Sequence, residues 1–234
     1  METKDYRTHY ERDAELFSYF KTDKYDKDYN RRLHSFIKGL ITGSSNRILD
    51  IGSGGGWSAE KLAGSGNVTL IDLSYKNLNV IKNKFDVAAA VGDAIELPFK
   101  KESFDYVILS EALEHINKPP AALREALRVT RKGGKVIVTT PYNEKIRYYL
   151  CVHCNQLTPA NAHLHTFTIS SFEKVVEGLE FFGIKFYKFG SKLLTVTRLS
   201  YALRFLPYWI WRIKDRIANY LVDRANTLIA VIKK

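Results

Sequence analysis

Asp50, Gly52, Gly54 and Gly56 stand at alternate positions in the run Asp50-Ile51-Gly52-Ser53-Gly54-Gly55-Gly56. Without a Cβ, glycine lets a chain turn tightly and lets a ligand approach the backbone closely. The carboxylate two places before the first glycine constrains which ligand that is. It repels a pyrophosphate and attracts a cation. The dinucleotide pattern G-x-G-x-x-G/A also fails, because counting from Gly52 puts Trp57 where the third glycine belongs. A P-loop fails because no Gly-Lys-Ser/Thr follows. What fits the carboxylate is the cationic amino-acid end of S-adenosylmethionine, reached through water or backbone.

Two more acids extend this reading. Asp72, in Leu70-Ile71-Asp72-Leu73-Ser74, is placed to take both hydroxyls of a ribose in a bidentate hydrogen bond. Asp93, in Val91-Gly92-Asp93-Ala94, could accept from an adenine amino group, with Leu73 and Ala94 sandwiching the ring. Next comes Ser110-Glu111-Ala112-Leu113-Glu114-His115, where a transferred group should point. On a helical turn Glu111, Glu114 and His115 would share one face. That makes a partial divalent-metal site, with His165 or His163 as a fourth ligand. Without metal, His115, His163 or His165 could serve as general base with Glu111 beside it, or alignment alone could supply the rate. A rival zinc site is open: Cys151 and Cys154, in Cys151-Val152-His153-Cys154, with His163 and His165. The C-x-x-C spacing is not that of a standard finger.

These residues need elements to hold them. Apolar runs predict strands over residues 47–51, 68–71, 87–91, 104–109, 135–139, 184–189 and 227–232, with helices over 58–62, 75–85, 119–130 and 170–181. Ser170 or Ser171 is the expected N-cap of the last of these helices. Strand and helix alternate, and the strands are continuously apolar, which predicts a mostly parallel sheet covered on both faces, the doubly wound α/β class. In such sheets ligands sit outside the carboxyl ends of the strands, where all three acids fall. Before the first strand, Leu16, Phe17 and Phe20, then Leu33, Phe36, Ile37 and Leu40, have helical spacing. Two helices there, with Tyr6, Tyr10 and Tyr29, are expected to close over the ligand as a lid.

The 234 residues allow one domain: a helical lid over 1–45, a cofactor-binding core over 46–141, and a substrate-side loop, two strands and a helical insertion over 142–234. Apolar residues are 45% and charged residues 26% of the chain, ordinary for a soluble globular protein. Two cysteines rule out a disulfide framework and fit a reducing cytoplasm. No apolar run spans a bilayer, and Met1 to Tyr10 is too polar for a signal peptide. The net charge of +11 favours an anionic partner or a solvated basic surface. Residues 201–216 are basic and aromatic together, which suits a lid, a dimer contact, a peripheral anionic membrane surface or base stacking.

From about Arg47 to Pro141 the chain resembles the class I S-adenosylmethionine-dependent methyltransferases, in the broad subfamily with Gly92-Asp93-Ala94 and Leu97-Pro98-Phe99. Phe104-Asp105 and Arg131-Lys132-Gly133-Gly134 match as well. The resemblance implies a Rossmann-like sheet of seven strands, the last antiparallel and formed by residues 227–232. The E-x-x-E-H turn resembles that of ubiquinone-pathway O-methyltransferases and of metal-dependent small-RNA 2′-O-methyltransferases. These likenesses imply methyl transfer, at oxygen, to a small-molecule or lipid-linked acceptor. The alternatives are RNA 2′-O-methylation with a divalent metal and a non-catalytic S-adenosylmethionine-binding protein. No recognisable RNA-binding module is present, so nucleic acid ranks lower.

Overall fold

The structure is a computed structural model that describes residues 6–16, 20, 22–152, 155–197 and 199–234. Two helices, α1 (Tyr6–Leu16) and α2 (Lys24–Leu40), precede the alternating core. The core runs β1 (Asn46–Ile51), α3 (Trp57–Leu62), β2 (Gly66–Asp72), α4 (Tyr75–Lys82), β3 (Ala88–Val91), β4 (Phe104–Ser110), α5 (Pro119–Val129) and β5 (Thr130–Pro141). A short hairpin, β6 (Tyr148–Leu150) and β7 (Leu157–Pro159), leads to α6 (Ile169–Val175) and β8 (Gly183–Ser191). Then α7 (Lys192–Val196), α8 (Leu199–Ala202) and α9 (Tyr208–Leu221) lead to β9 (Ala225–Lys233).

The described residues form a seven-stranded sheet in the order β3-β2-β1-β4-β5-β9-β8. The pairs β1–β2, β2–β3, β1–β4 and β4–β5 are parallel, and β9 runs antiparallel to both its neighbours. The chain builds outward from β1 to β3, then returns to the other side of β1 with β4. That reversal opens a crevice at the carboxyl ends of β1 and β4, the usual ligand position in such sheets.

Each strand feeds both faces, because successive side chains alternate. Leu49, Ile51, Val107 and Leu109 meet Leu123 and Ala126 of α5 and Phe172 of α6. Ile48, Leu70 and Ile108 meet Leu33 and Ile37 of α2, Leu62 of α3, Ile81 of α4 and Trp211 of α9. This two-sided burial explains the continuously apolar strands. Truncating one fully buried leucine such as Leu109 to alanine would cost about 2–5 kcal/mol.

Several expectations change in detail. The helix expected over 170–181 ends at Val175, with Gly178 at φ +75° in the turn beyond it. Its N-cap is Thr168 rather than Ser170 or Ser171: Thr168 Oγ1 accepts from the Ser171 amide at 3.1 Å, and Ser171 Oγ accepts from the Thr168 amide at 2.8 Å. The insertion is broken after Phe205, because Pro207 cannot continue a helix and instead starts α9. The substrate-side loop contains the β6–β7 hairpin, which the sequence pattern did not reveal. Phe17 lies outside the described residues. Of the two N-terminal helices only α1 supplies side chains to the crevice. Leu33 and Ile37 of α2 are fully buried against the sheet, so α2 is a core layer and not a lid. No helix among the described residues is long and apolar enough to cross a membrane.

Candidate active site

A cavity of about 520 Å³ lies at the switch point, within the range of small-molecule sites. Gly52, Gly54, Asp72, Leu73, Asp93, Ala94, Glu111 and His115 all line it. Asp50, Gly56, Ser110, Glu114 and His165 do not, although the sequence reading placed them in the site.

The glycine turn is shaped by backbone that only glycine holds without strain. Gly52, Gly54 and Gly56 have φ of +73°, +45° and +75°. They divide the work. A Cβ on Gly52 would stand 2.9 Å from Ala112 Cβ, and one on Gly56 would stand 3.0 Å from Ile81 Cγ1. Gly56 therefore serves the packing of α3 on α4. A Cβ on Gly54 would meet nothing nearer than Gly52 O at 3.9 Å, so it would project toward the space a ligand would use.

Beneath the turn sits Asp50, 2% exposed. Its Oδ1 has no hydrogen-bond partner among the described residues, and neither does the buried Ser53 hydroxyl. Burial pushes the Asp50 carboxyl up to about 7; the Ser58 hydroxyl opposes this and the Asp72 charge adds to it. A buried carboxyl with an unused oxygen behind a glycine turn suits a cationic ligand, as the residue types suggested.

Asp72 is fastened from two sides. Its Oδ2 accepts the Gly54 amide at 3.1 Å and its Oδ1 the Ser74 amide at 2.9 Å. Burial raises its carboxyl, and the backbone amides of Ser74, Gly54 and Leu73 oppose that. Asp93 accepts from the Ile95 amide at 3.2 Å and from the Tyr6 hydroxyl. Tyr10 donates to the His115 carbonyl at 3.1 Å and sets its ring edge-on to the His115 imidazole. Tyr6 and Tyr10 thus tie α1 across the cavity. Tyr29 does not line this cavity: its hydroxyl is 2.6 Å from Thr227 Oγ1, beside Glu111, and its ring closes on Gly190.

The acidic motif departs from the expected helical turn. Glu111 has φ +51°, uncommon for a residue with a Cβ, and the helical part is only a 3₁₀ turn over Leu113–His115. Glu111 is held there by its amide, which donates to Thr139 O at 3.0 Å, and by its carboxylate, which accepts from Thr139 Oγ1 at 2.9 Å. Strain of this kind persists where surrounding contacts over-determine it. Burial raises Glu111 to about 7, with Thr139 opposing. Burial also raises Glu114 well above its usual range, and the Glu111 charge adds to this. Burial lowers His115 to about 4, helped by the neighbouring His163 ring. Ser110 Oγ turns away to Thr139 Oγ1 at 3.3 Å.

One potential metal-ligand cluster forms among the described residues: Glu114, His115 and His163, with ligand atoms within 4.8 Å of one another. It omits Glu111 and His165. The cause is local. The amides of Leu164 and His165 both donate to the Glu114 carbonyl, at 2.8 and 3.2 Å, clipping this segment onto the motif. The His163 ring then meets His115 at a centroid distance of 4.8 Å, while His165 Nε2 meets the Ile116 carbonyl at 3.0 Å. His163 Nδ1 also lies 2.5 Å from Glu144 Oε2. For the rival zinc site, Cys154 and His153 lie outside the described residues, and Cys151 directly follows β6 in the hairpin.

Asn77, Ile95, Asn117 and Lys118 also form the cavity wall, without having stood out in the sequence. Asn117 and Lys118 carry no motif, and only the turn after the 3₁₀ segment brings them in.

Residues 49–138 match the family described as "Methyltransferase domain". These are the residues that carry the glycine turn, Asp72, Asp93 and the Glu111–His115 turn. The match covers less than half of the chain and makes this segment similar to methyltransferase domains. Over 110 residues the chain is 42% identical to a demethylmenaquinone methyltransferase of Renibacterium salmoninarum, covering 46% of each chain. Over 100 residues it is 38% identical to a malonyl-[acyl-carrier protein] O-methyltransferase of Erwinia pyrifoliae, covering 42% of this chain and 38% of that one. The chain therefore matches about half the length, or less, of these curated relatives. The methyltransferase fold extends further: an S-adenosylmethionine-dependent methyltransferase from Archaeoglobus fulgidus superposes with a TM-score of 0.61 over 88% of this chain and 92% of that one, at 18% identity.

Proposed function

We propose that the protein transfers a methyl group from S-adenosylmethionine to an oxygen of a small-molecule or lipid-linked acceptor. The observation that carries this is a single cavity lined by Gly52, Gly54, Asp72, Asp93 and Glu111 together. Asp50, behind Gly52, Gly54 and Gly56, would attract the cofactor's ammonium group. Asp72 would hold the ribose, and Asp93 with Leu73 and Ala94 the adenine. The cofactor supplies an electrophilic methyl on a sulfonium, so in-line alignment does most of the chemistry.

The acceptor hydroxyl must lose its proton as the carbon–oxygen bond forms. Of the three groups read as catalytic, Glu111 is best matched to receive it. Its carboxyl near 7 lies close to an operating pH, whereas His115, held near 4, is a weak base. His165, bonded to the Ile116 carbonyl, would position the motif and not move protons. The relatives' printed names support the acceptor class: one is a demethylmenaquinone methyltransferase, the other a malonyl-[acyl-carrier protein] O-methyltransferase. A turnover screen for S-adenosylhomocysteine across quinols, phenols and malonyl-acyl-carrier protein tests the reading. Product formation that depends on one of these acceptors supports it, and turnover with none of them counts against it.

A second reading, metal-dependent 2′-O-methylation of RNA, is favoured by the Glu114–His115–His163 cluster. Two imidazoles and a carboxylate suit a first-row divalent ion. Metal analysis of untagged protein separates the two. One equivalent of metal that is lost in His163→Ala supports the second reading, and metal-free protein active on a small acceptor supports the first.

A further inference from the structure

Helix α9 turns apolar side chains both ways. Trp211, Asp215, Ala218 and Asn219 face inward, and α9 packs on β8. On the opposite side Trp209, Ile213, Ile217, Tyr220 and Leu221 are 65%, 50%, 54%, 90% and 72% exposed. Positions 209, 213 and 217 are four apart and 220 and 221 continue the row, so they form one stripe along the helix. Exposed Arg216 borders the stripe on one side and exposed Lys214 on the other. Just upstream Phe205 is 80% exposed, with the Arg204 guanidinium over its ring at 4.2 Å.

The charge on this segment is one-sided. Between Ser191 and Val222 the only acid is Asp215, against Lys192, Arg198, Arg204, Arg212, Lys214 and Arg216. Asp215 is fully buried, where it accepts from the Gly190 and Ser191 amides and pairs with Arg212. No carboxylate of the segment therefore reaches its outer face.

We propose that the outer face of α9 docks on an anionic lipid bilayer, lying in the plane of its surface. An apolar stripe with aromatic residues, bordered by lysine and arginine, is what such a surface selects. Each cation held near an anionic leaflet adds to the attraction. A second copy of the chain fits less well, because two-fold apposition would bring one uniformly cationic face against its equal. Docking through α9 is independent of the methyl-transfer reading.

The test is co-sedimentation of the full chain with phosphatidylcholine vesicles, with and without phosphatidylglycerol. The wild type is expected to bind the anionic vesicles preferentially and to be released as salt is raised. Ile213→Asp/Ile217→Asp should weaken that binding at least about tenfold and leave thermal unfolding unchanged, because both side chains are half-exposed. Lys214→Glu/Arg216→Glu should remove the preference for phosphatidylglycerol. Equal binding to neutral vesicles, or undiminished binding by the isoleucine variant, would overturn the proposal. So would a wild-type dimer that the isoleucine variant converts to monomer, since that assigns the face to a second copy.

Discussion

The Gly54 amide donates to Asp72 Oδ2 at 3.1 Å, joining the glycine turn after β1 to the acid that ends β2. The two halves of the candidate cofactor site are therefore a single hydrogen-bonded unit. Asp72→Asn should raise the Kd for S-adenosylmethionine about 10–100-fold, the loss expected when a charge-assisted pair of hydrogen bonds becomes neutral. Gly54→Ala should weaken binding as well, because φ +45° strains any residue with a Cβ and the added methyl would project into ligand space. Calorimetric titration of both variants checks this, and unchanged affinity in either would contradict the assignment.

Asp50 predicts a pH dependence. Its carboxyl sits near 7, so below that value it is largely protonated and has no charge to attract an ammonium group. Affinity for S-adenosylmethionine should weaken as pH falls through 7, by up to about tenfold per unit where one proton must leave on binding. In Asp50→Asn binding should be weaker and flat over the same range. A wild-type affinity that strengthens toward acid would reverse the sign and remove Asp50 from the site.

The proton acceptor is tested by Glu111→Gln, which keeps the shape and the contact to Thr139. With Glu111 as base, kcat should fall about 10²–10⁴-fold while the Kd for S-adenosylmethionine stays within about twofold. The acidic limb of the wild-type rate profile, the loss of rate as pH falls through about 7, should vanish. The matching result for His115→Gln would move the role to the imidazole.

Helix α1 is held over the cavity by Tyr6 on Asp93 and Tyr10 on the His115 carbonyl. Tyr6→Phe should speed cofactor dissociation several-fold, because one hydrogen bond contributes about 1 kcal/mol. Stopped-flow displacement measures this, and an unchanged dissociation rate in Tyr6→Phe would remove the lid role of α1.

Much of this was legible in the chain. Continuously apolar strands such as Ile48–Ile51 and Val107–Leu109 announce a two-sided sheet, and Asp50, Asp72 and Asp93 at the ends of β1, β2 and β3 mark the crevice. Gly52, Gly54 and Asp72 were readable because backbone conformation and charge restrict what can stand there. The acidic motif was less so. A local spacing rule puts Glu111, Glu114 and His115 on one face, but the positive φ of Glu111 breaks that periodicity. The choice of His163 over His165 depends on backbone bonds to the Glu114 carbonyl across about fifty residues, which no local pattern encodes. The role of α2 was obscured for the same reason: Leu33 and Ile37 have helical spacing whether they cover a ligand or a sheet.

The central claim is that the turn from Asp50 to Gly56, with Asp72 and Asp93, holds S-adenosylmethionine. Isothermal calorimetry of the wild-type chain at pH 8 tests it most directly. The account predicts one saturable site with micromolar affinity, weakened at least about tenfold in Asp72→Asn. No binding heat at millimolar ligand, or wild-type affinity retained in Asp72→Asn, would contradict it.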